Sequence, residues 1–394
     1  MHIVFVVDMY DVQKNGTTMT SRRMAEALAR RGHEVRVIYA ASSDQDRIRP
    51  QAGDLVRPFC VGQLKVPVLY QFMKAQHVTM GRPDEAVIRQ ALQGADVVHL
   101  FLPFPLEKQA LQVARQMHIP VTAAFHLQPE NVSYNIGLGR SKSFNRAIYS
   151  FFKQYLYQYV SRIHCPSEFI ARQLQAHQYQ ARLYVISNGV PDLFRPAALP
   201  PPDPQPGAEI PIIMVGRLSP EKNQAVLLKA VLKSRYAKRI RVTLAGQGPD
   251  EAKLRRLGQQ LPLTPEIAYF TQPELLVKLQ NSVLYVHTAS AEIEAIACLE
   301  AVACGLVPII SNSEQSATPQ FALDERSLFQ PDSVDDLAHK LDYWLDHPQE
   351  RQAMGKQYAA SAEAYRLDKV TAKLEQMLTE AVECQQEPAA VRYV

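Results

Sequence analysis

The feature that most constrains the fold is an alternation of strand-like and helix-like segments that occurs twice along the 394 residues. Before residue 196, apolar β-rich runs lie at 3–7, 35–39, 96–102, 119–125, 162–165 and 183–186, and helix-period segments at 17–31, 106–118 and 167–176. After residue 207 the strands recur near 210–215, 240–245, 267–270, 283–287 and 306–310, and the helices near 221–235, 249–261, 273–281 and 294–304. This alternation predicts an α/β fold with parallel sheets covered by helices.

A proline-rich stretch, Pro196-Ala-Ala-Leu-Pro-Pro-Pro-Asp-Pro-Gln-Pro-Gly207, separates the two series. Prolines end helices and central strands and favour a stiff, extended connector. We therefore predict a Rossmann-like domain over 1–195, a linker over 196–207 and a second Rossmann-like domain over 208–369. A final helix, about 370–394, is expected to pack back on the first domain. Ligands of open parallel sheets bind at the carboxyl ends of the strands, so two such domains facing each other would enclose the substrate in a cleft.

Composition narrows the class of protein further. No apolar run approaches the roughly 20 residues that cross a bilayer, and the chain starts in a strand pattern without a signal peptide, which predicts a cytoplasmic protein. Its five cysteines are scattered without a Cys-x2-Cys pair, so neither a disulfide framework nor a zinc site is indicated. Asp44-Gln45-Asp46 has a metal-binding spacing, but it lies in a polar loop away from the other motifs and is rejected as a metal site. No P-loop motif is present.

Charge divides unevenly between the halves. Residues 1–195 hold 23 Lys and Arg against 14 Asp and Glu, whereas residues 196–394 hold 20 against 25. Segments 55–83 and 131–167 contain no acid and mix basic with aromatic residues, a composition typical of anionic lipid surfaces. In the alternative interpretation the apolar residues of the second segment simply face the core at helical spacing; they are Ile148, Phe151, Phe152, Tyr155, Leu156 and Tyr159. Nucleic acid is a weaker candidate, because no reading motif accompanies the arginines.

The most specific motif follows the strand that ends at His287. Glu292 and Glu300 are eight residues apart, at the strand-to-helix turn and about two turns into the helix, so both carboxylates can face one ligand. Paired acceptors suit the vicinal hydroxyls of a sugar. The alternative is a pair of solvated helix carboxylates. The surrounding Ala, Ile, Val, Leu and Cys residues instead predict a buried helix, where an uncompensated charge is costly.

Basic residues and glycines mark two further strand ends in the second domain. Arg217 and Lys222 flank a helix start after the strand that ends at Gly216, and cations beside free helix N–H groups suit a diphosphate. Gly246 and Gly248 form a turn at which backbone can approach a ligand, although such turns are commonly only tight turns.

Glu292-x7-Glu300, together with Gly216-Arg217 and Glu221-Lys222, resembles the family-four glycosyltransferases, which are retaining enzymes of the GT-B fold with two facing Rossmann-like domains. The resemblance implies that Glu292 contacts the donor sugar and Glu300 the ribose, while Arg217 and Lys222 stabilise the departing diphosphate. It further implies that Gly246 and Gly248 lie beside the nucleotide and that the base rests near Thr271. The family commonly has Gly-Phe-Gly after the first Glu, where this chain has Ile293-Glu294-Ala295, so Glu294 is either an added polar contact or a surface charge.

The same resemblance assigns candidates in the first domain. The loop around Asn15-Gly16 is similar to the family's glycine loop, which approaches the donor phosphate and the acceptor; a plain connecting loop is the alternative. His126 ends a strand where the family places a cleft histidine near the donor hexose, although a histidine there can also be a core group. Asn188-Gly189-Val190 resembles the family's segment before the linker, or is only a turn.

The first half, the Glu292 motif and the segment 316–326 resemble the bacterial subgroup that glucosylates diacylglycerol. This resemblance implies transfer of a hexose, with glucose expected, from a UDP-sugar to a membrane lipid, without metal, by a protein peripheral to the inner face of the membrane. A cytosolic glycosyltransferase for cell-wall polysaccharide or protein is the alternative within the family. A catalytically idle partner subunit is the alternative of another class.

Overall fold

The computed structural model describes residues 1–10, 16–41, 48, 53–65, 79–198 and 203–386. Asn15, the Asp44-Gln45-Asp46 segment, the linker tip at 199–202, residues 66–78 and the last eight residues lie outside the described ranges. Contacts divide the chain into two compact units. The first unit comprises Met1–Leu127, Ser143–Gly189 and Leu367–Val394, and the second comprises Gln128–Lys142 and Val190–Arg366.

The strands and helices, numbered in chain order, alternate through most of both units. The strands are β1 (His2–Met9), β2 (Glu34–Ala40), β3 (Val56–Val61), β4 (Val97–Leu100), β5 (Val121–Ala124), β6 (Arg162–Cys165), β7 (Arg182–Val185), β8 (Ile210–Val215), β9 (Ile240–Ala245), β10 (Glu266–Ala268), β11 (Leu284–His287), β12 (Ala291–Glu292), β13 (Pro308–Ser311), β14 (Gln315–Ser316) and β15 (Leu328–Phe329). The helices are α1 (Gly16–Arg30), α2 (Glu85–Leu92), α3 (Pro105–Gln116), α4 (Pro129–Tyr134), α5 (Lys142–Tyr155), α6 (Glu168–Ala176), α7 (Gln224–Lys233), α8 (Glu251–Gly258), α9 (Gln272–Gln280), α10 (Ile296–Ala303), α11 (Val334–Asp346), α12 (Pro348–Ala362) and α13 (Leu367–Gln386).

The first unit is built on a parallel sheet of seven strands in the order β3-β2-β1-β4-β5-β6-β7. Residues 3–7 of the central strand β1 are all fully buried, because helices cover both faces of a parallel sheet. The C-terminal helix α13 belongs to this unit and contacts α1. Leu374, Met377 and Leu378 bury that contact, and Arg31 pairs with Glu375 at 2.7 Å beside it.

The second unit contains a six-stranded parallel sheet in the order β10-β9-β8-β11-β13-β15 and a small parallel ribbon of β12 and β14. The segment Gln128–Lys142, predicted as part of the first domain, joins this unit instead. Its hydrogen bonds explain the grouping. Gln128 Nε2 donates to the Gln315 carbonyl at 2.9 Å, and the Tyr134 hydroxyl donates to Gln315 Oε1 at 3.0 Å.

Two parallel sheets flanked by helices confirm the predicted fold class, with two Rossmann-like units. The predicted strands are present to within a few residues, but the edge strand β3 and the short two-residue strands β12, β14 and β15 were not predicted. β3 is an edge strand that carries Pro58 and is half-exposed, so its sequence lacks the apolar run of a central strand. Among the described residues, no helix is long and apolar enough to cross a membrane.

Candidate active site

The candidate site of the second unit is organised around an ion pair between Lys222 and Glu292. β8 ends in a turn that leads to a short 3-10 helix, Pro220–Lys222, and α7 begins two residues later. β11 leads through a short loop to β12, which carries Glu292. Both side chains are mostly buried, at 17% and 14% exposure. The pair is therefore shielded from bulk water without being sealed from a ligand.

The two loops that carry the pair are fastened to each other. The Thr288 hydroxyl donates to the Lys222 carbonyl at 2.8 Å, and the Ser290 amide donates to the Glu221 carbonyl at 2.8 Å. These bonds fix the loops after β8 and β11 relative to each other. The Lys222 ammonium and the Glu292 carboxylate are thereby held in contact.

The charge state of Glu292 follows from its neighbours. Burial raises the pKa of this carboxyl, but the Lys222 ammonium and His287 outweigh burial and hold the pKa at about 2. Glu292 is therefore an acceptor-only carboxylate at neutral pH, which suits sugar hydroxyl donors.

Behind Glu292 lie two side chains that sequence reasoning did not select. His287 Nε2 is 3.6 Å from Glu292 Oε2, and the Tyr285 hydroxyl is 3.0 Å from His287 Nδ1. Both side chains are buried on β11. The available signal was a histidine at the end of a strand directly before the Glu292 motif.

Glu300 and Glu294 complete the acidic part of the site. Glu300 is buried within α10, as the apolar neighbours predict, and Glu294 is also buried rather than a surface charge. Burial is the main reason that the pKa of Tyr285 is raised, and both Glu292 and Glu300 add to it. Ala295, which takes the place of a family glycine, has a left-handed backbone at φ 63°.

Arg217 lies in the turn after β8, and the glycine turn after β9 packs on it. Burial lowers the pKa of Arg217, which Glu221 partly offsets. A Cβ at Gly246 would overlap the Gly216 carbonyl, and one at Gly248 would overlap the Leu218 carbonyl. These glycines therefore permit the close packing of two strand-end turns, whatever else they contact.

Thr271 has a visible structural role at the start of α9. Its amide donates to Glu274 Oε2 at 2.8 Å as part of a capping box, and its hydroxyl donates to the same oxygen at 2.8 Å. Thr271 is exposed. The predicted contact with a base stays a prediction.

The other three candidates lie in the first unit. Gly16 begins α1 in open surroundings, and Asn188 is buried in the turn after β7. His126 is buried between aromatic rings, with centroids 5.5 Å from Phe101 and 5.2 Å from His164. Burial, aided by His164, lowers the pKa of His126 well below its usual range, so this imidazole is neutral.

The first unit also buries a carboxyl pair, Asp8 on β1 and Glu107 on α3, that the sequence did not indicate. Burial raises the pKa of Asp8 to about 6, which Glu107 and the Gly81 amide partly offset. Burial and the Asp8 charge raise the pKa of Glu107 well above its ordinary value. Two such groups share one proton at neutral pH. The Gly81 amide donates to Asp8 Oδ1.

Solved structures share this architecture at low sequence identity. Sucrose-phosphate synthase from Thermosynechococcus elongatus is 16% identical with a TM-score of 0.76, covering 97% of this chain and 99% of that chain. Anabaena Alr3699/HepE, solved in complex with UDP, is also 16% identical, with a TM-score of 0.72, covering 96% of this chain and 100% of its own. The fold is accordingly that of the GT-B glycosyltransferases.

Family models then give the family. The model described as glycosyl transferases group 1 matches residues 200–360, and the model described as glycosyltransferase family 4 matches residues 14–192. The two matches lie end to end over most of the chain, which belongs to the GT-B glycosyltransferases of the family-four type.

Curated relatives differ in what they transfer. A GDP-mannose-dependent alpha-mannosyltransferase of Mycolicibacterium smegmatis is 29% identical over 325 residues, covering 79% of each chain. An alpha-monoglucosyldiacylglycerol synthase of Streptococcus pneumoniae is 22% identical over 329 residues, covering 79% of this chain and 71% of its own.

Proposed function

We propose that this glycosyltransferase moves a hexose, with retention and without a metal ion, from a nucleotide sugar to a membrane lipid such as diacylglycerol, and that UDP-glucose is the donor. The observation that carries the proposal is the Lys222–Glu292 ion pair at the strand ends of the second unit. In this reaction the acceptor oxygen bonds to the anomeric carbon while the bond from that carbon to the diphosphate oxygen breaks. The acceptor's proton passes to the leaving diphosphate, so the products are an α-glycoside and a nucleoside diphosphate.

The donor assignment is supported by the charges of the second unit. Lys222 and Arg217 supply positive charge at the turn before α7, where a diphosphate gains most from fixed donors and from the helix N-terminus. Glu292 is ionised and mostly shielded from water, so it can accept hydrogen bonds from a hexose. Glu300 is the candidate partner of the ribose hydroxyls.

The lipid acceptor is supported by a surface of the first unit that we call the aromatic-basic patch: Phe151, Tyr155, Tyr159, Lys108 and Arg115. Phe151 and Tyr159 are 55% and 43% exposed. Lys108 Nζ lies 3.9 Å from the centre of the Tyr159 ring, and Phe151 stacks on Tyr155 at 5.4 Å. Exposed rings beside cations suit an anionic lipid surface. Phe152 and Leu156 are buried, so the core alternative holds for those residues but not for Phe151 and Tyr159.

A second donor, GDP-mannose, is favoured by the relatives at 29% and 26% identity, both of them GDP-mannose-dependent mannosyltransferases. The same ion pair would serve either donor, because a diphosphate and a hexose are common to both.

The test is a transfer assay in EDTA with UDP-glucose, UDP-galactose and GDP-mannose, using vesicles of phosphatidylglycerol with and without diacylglycerol. We expect labelled glucose in an α-linked lipid product only when diacylglycerol is present. The Glu292→Gln variant should lose transfer, whereas Glu314→Gln, which changes an exposed carboxyl in the same region, should not. Transfer from GDP-mannose alone would overturn the assignment of UDP-glucose as donor. If no lipid is glycosylated, the assignment of a lipid acceptor is overturned.

The patch is tested separately by vesicle sedimentation. Phe151→Ala should weaken binding to anionic vesicles, and the matched control is Val277→Ala, which changes an equally exposed apolar residue (56%) of the second unit. Equal binding by both variants would remove the patch from the proposal.

A further inference from the structure

A directed chain of polar groups lies behind Glu292. The Tyr285 hydroxyl lies 3.0 Å from His287 Nδ1. Because the ionised Glu292 carboxylate can only accept, the imidazole proton is favoured on the ring nitrogen that faces it, and His287 Nδ1 then accepts from the Tyr285 hydroxyl. The imidazole proton then resides on Nε2, the atom that is 3.6 Å from Glu292 Oε2.

Burial determines the protonation states of both side chains in this arrangement. Tyr285 is fully buried and His287 is 2% exposed. Burial raises the pKa of Tyr285 well above its ordinary value, and burial lowers the pKa of His287 even though Glu292 acts in the opposite direction. At neutral pH the tyrosine therefore keeps its proton and the imidazole is neutral, with one tautomer favoured by its neighbours. Apolar side chains would fill the space without the desolvation penalty of polar groups, so a purely structural role gives no reason for this pair.

Glu292 thus has two partners of different kinds. Lys222 contacts it as a cation on the 3-10 helix, whereas His287 is fixed on β11 within the sheet. In the proposed function, on which this inference rests, the donor's diphosphate competes with Glu292 for the Lys222 ammonium. His287 has no competing partner among the described groups and stays where the strand holds it.

We infer that His287, oriented by the Tyr285 hydroxyl, is a positioning residue that keeps the Glu292 carboxylate directed at the donor sugar when Lys222 turns to the donor's phosphates. His287 itself contacts neither phosphate nor sugar in this account. Its effect passes entirely through Glu292, so its loss should act on the rate of transfer more than on nucleotide binding.

The titratable and charged groups that face this chain come from three neighbouring elements. They are Lys222 on the 3-10 helix, Glu292 on β12, and Cys298 and Glu300 on α10. Removal of His287 leaves all four in place, so a change in the pH profile of a His287 variant reports on the Glu292–His287 contact.

The experiment compares His287→Leu, His287→Gln and Tyr285→Phe in the transfer assay, with His339→Leu as the control for an exposed histidine of the same unit. We expect His287→Leu to lower kcat about 10-fold, with little change in donor KM, because Glu292 loses the imidazole N–H that faces its carboxylate at 3.6 Å. The acid limb of its kcat profile should move to higher pH, because Glu292 loses a group that lowers its pKa. His287→Gln returns an N–H near the Nε2 position and should restore much of both. Tyr285→Phe should fall between these variants.

Calorimetry with UDP and the fluorescence of Trp344 establish that each variant is folded. If His287→Leu keeps wild-type kcat and pH profile while Glu292→Gln is inactive, the inference is overturned and the proposed function stands. If His287→Gln is as impaired as His287→Leu with no shift of the acid limb in either, the role is one of packing and the inference is also overturned. If Glu292→Gln is unimpaired, the proposed site itself fails.

Discussion

Each unit buries a carboxylate near the carboxyl end of a parallel strand. The pKa values of these two carboxylates shift in opposite directions. In the first unit, Asp8 faces another acid, Glu107, and burial raises the Asp8 pKa to about 6. In the second unit, Glu292 faces Lys222 and His287, which outweigh burial and hold its pKa at about 2. Position on a Rossmann-like sheet therefore does not determine the charge of such a site; the partner does.

Exposure separates the two sites as clearly as charge does. Asp8 and Glu107 are fully buried, and Asp8 Oδ1 already accepts a hydrogen bond from the Gly81 amide. The Lys222–Glu292 pair keeps a small exposed fraction on both side chains. A shared proton in a sealed pair suits a structural role, whereas an ion pair open to one side can exchange partners with a charged ligand. The predictions below test this contrast.

The largest effect is expected for Lys222→Ala. Removing a fixed cation from a developing diphosphate charge should lower kcat about 10²- to 10³-fold, with the donor KM less affected. The measurement is steady-state transfer at saturating donor. Lys229→Ala, an exposed lysine of α7, is the matched control and should behave as wild type. Equal kcat in the two variants would place the phosphates elsewhere.

Asp8→Asn tests the acid pair through stability. Because the folded-state pKa of Asp8 is raised from 3.8 to about 6, the folded unit binds the proton more tightly than the unfolded chain does, and stability falls as pH rises through that interval. The resulting loss is about 2 kcal/mol at pH 7 relative to pH 4. Asp8→Asn should reduce this dependence and leave the part that comes from Glu107, whose pKa burial also raises.

The measurement for Asp8→Asn is amide hydrogen exchange of β1 at several pH values in urea. Trp344 is the sole tryptophan and lies in the second unit, so its fluorescence provides an internal control that should not change. An unaltered pH dependence of β1 exchange would show that Asp8 is not the group responsible.

Glu300→Ala should act on binding rather than on the rate. Loss of hydrogen bonds between a charged carboxylate and the ribose predicts a Kd for UDP raised about 10- to 100-fold, with kcat at saturating donor largely retained. Calorimetry with UDP measures the constant, and Glu251→Ala, which changes a half-exposed helix carboxylate of the same unit, is the control. A lower kcat with an unchanged Kd would contradict this assignment, because it would give Glu300 the effect on the transfer step that is expected of Lys222.

The smallest effect concerns the turn between Glu292 and α10. Ala295 adopts φ 63°, a conformation that costs an alanine about 1 kcal/mol relative to glycine. Ala295→Gly should therefore raise the stability of the second unit by up to about 1 kcal/mol, whereas Ala230→Gly within α7 should lower it by about the same amount. Trp344 fluorescence in urea measures both, and destabilisation by Ala295→Gly would contradict the account.

The sequence was most informative where one pattern decides the outcome. Apolar runs identified the central strands, and the alanine-rich surroundings of Glu300 indicated its burial. Edge strand β3 was missed because Arg57 and Pro58 break the apolar run. The segment Gln128–Lys142 was placed in the wrong unit because its hydrogen bonds reach Gln315, far along the chain, and no local pattern shows such contacts.

Partnerships between distant side chains were the least predictable part of the site. Asp8 and Glu107, or Lys222 and Glu292, meet only after the strands are aligned. Helical spacing likewise treats Phe151 and Phe152 as one apolar group, whereas the structure exposes the first and buries the second. The roles of Gly246, Gly248, Thr271, Glu294, Gly16, Asn188 and His126 toward a donor stay predictions.

The most direct test of the central claim is a structure of the protein with UDP-glucose bound in EDTA. The account predicts metal-free density in the second unit, with the diphosphate on Lys222, the ribose hydroxyls on Glu300 and the hexose on Glu292, which remains within reach of His287. A nucleotide bound away from Lys222 and Glu300, or one that appears only after a divalent metal is added, would contradict it.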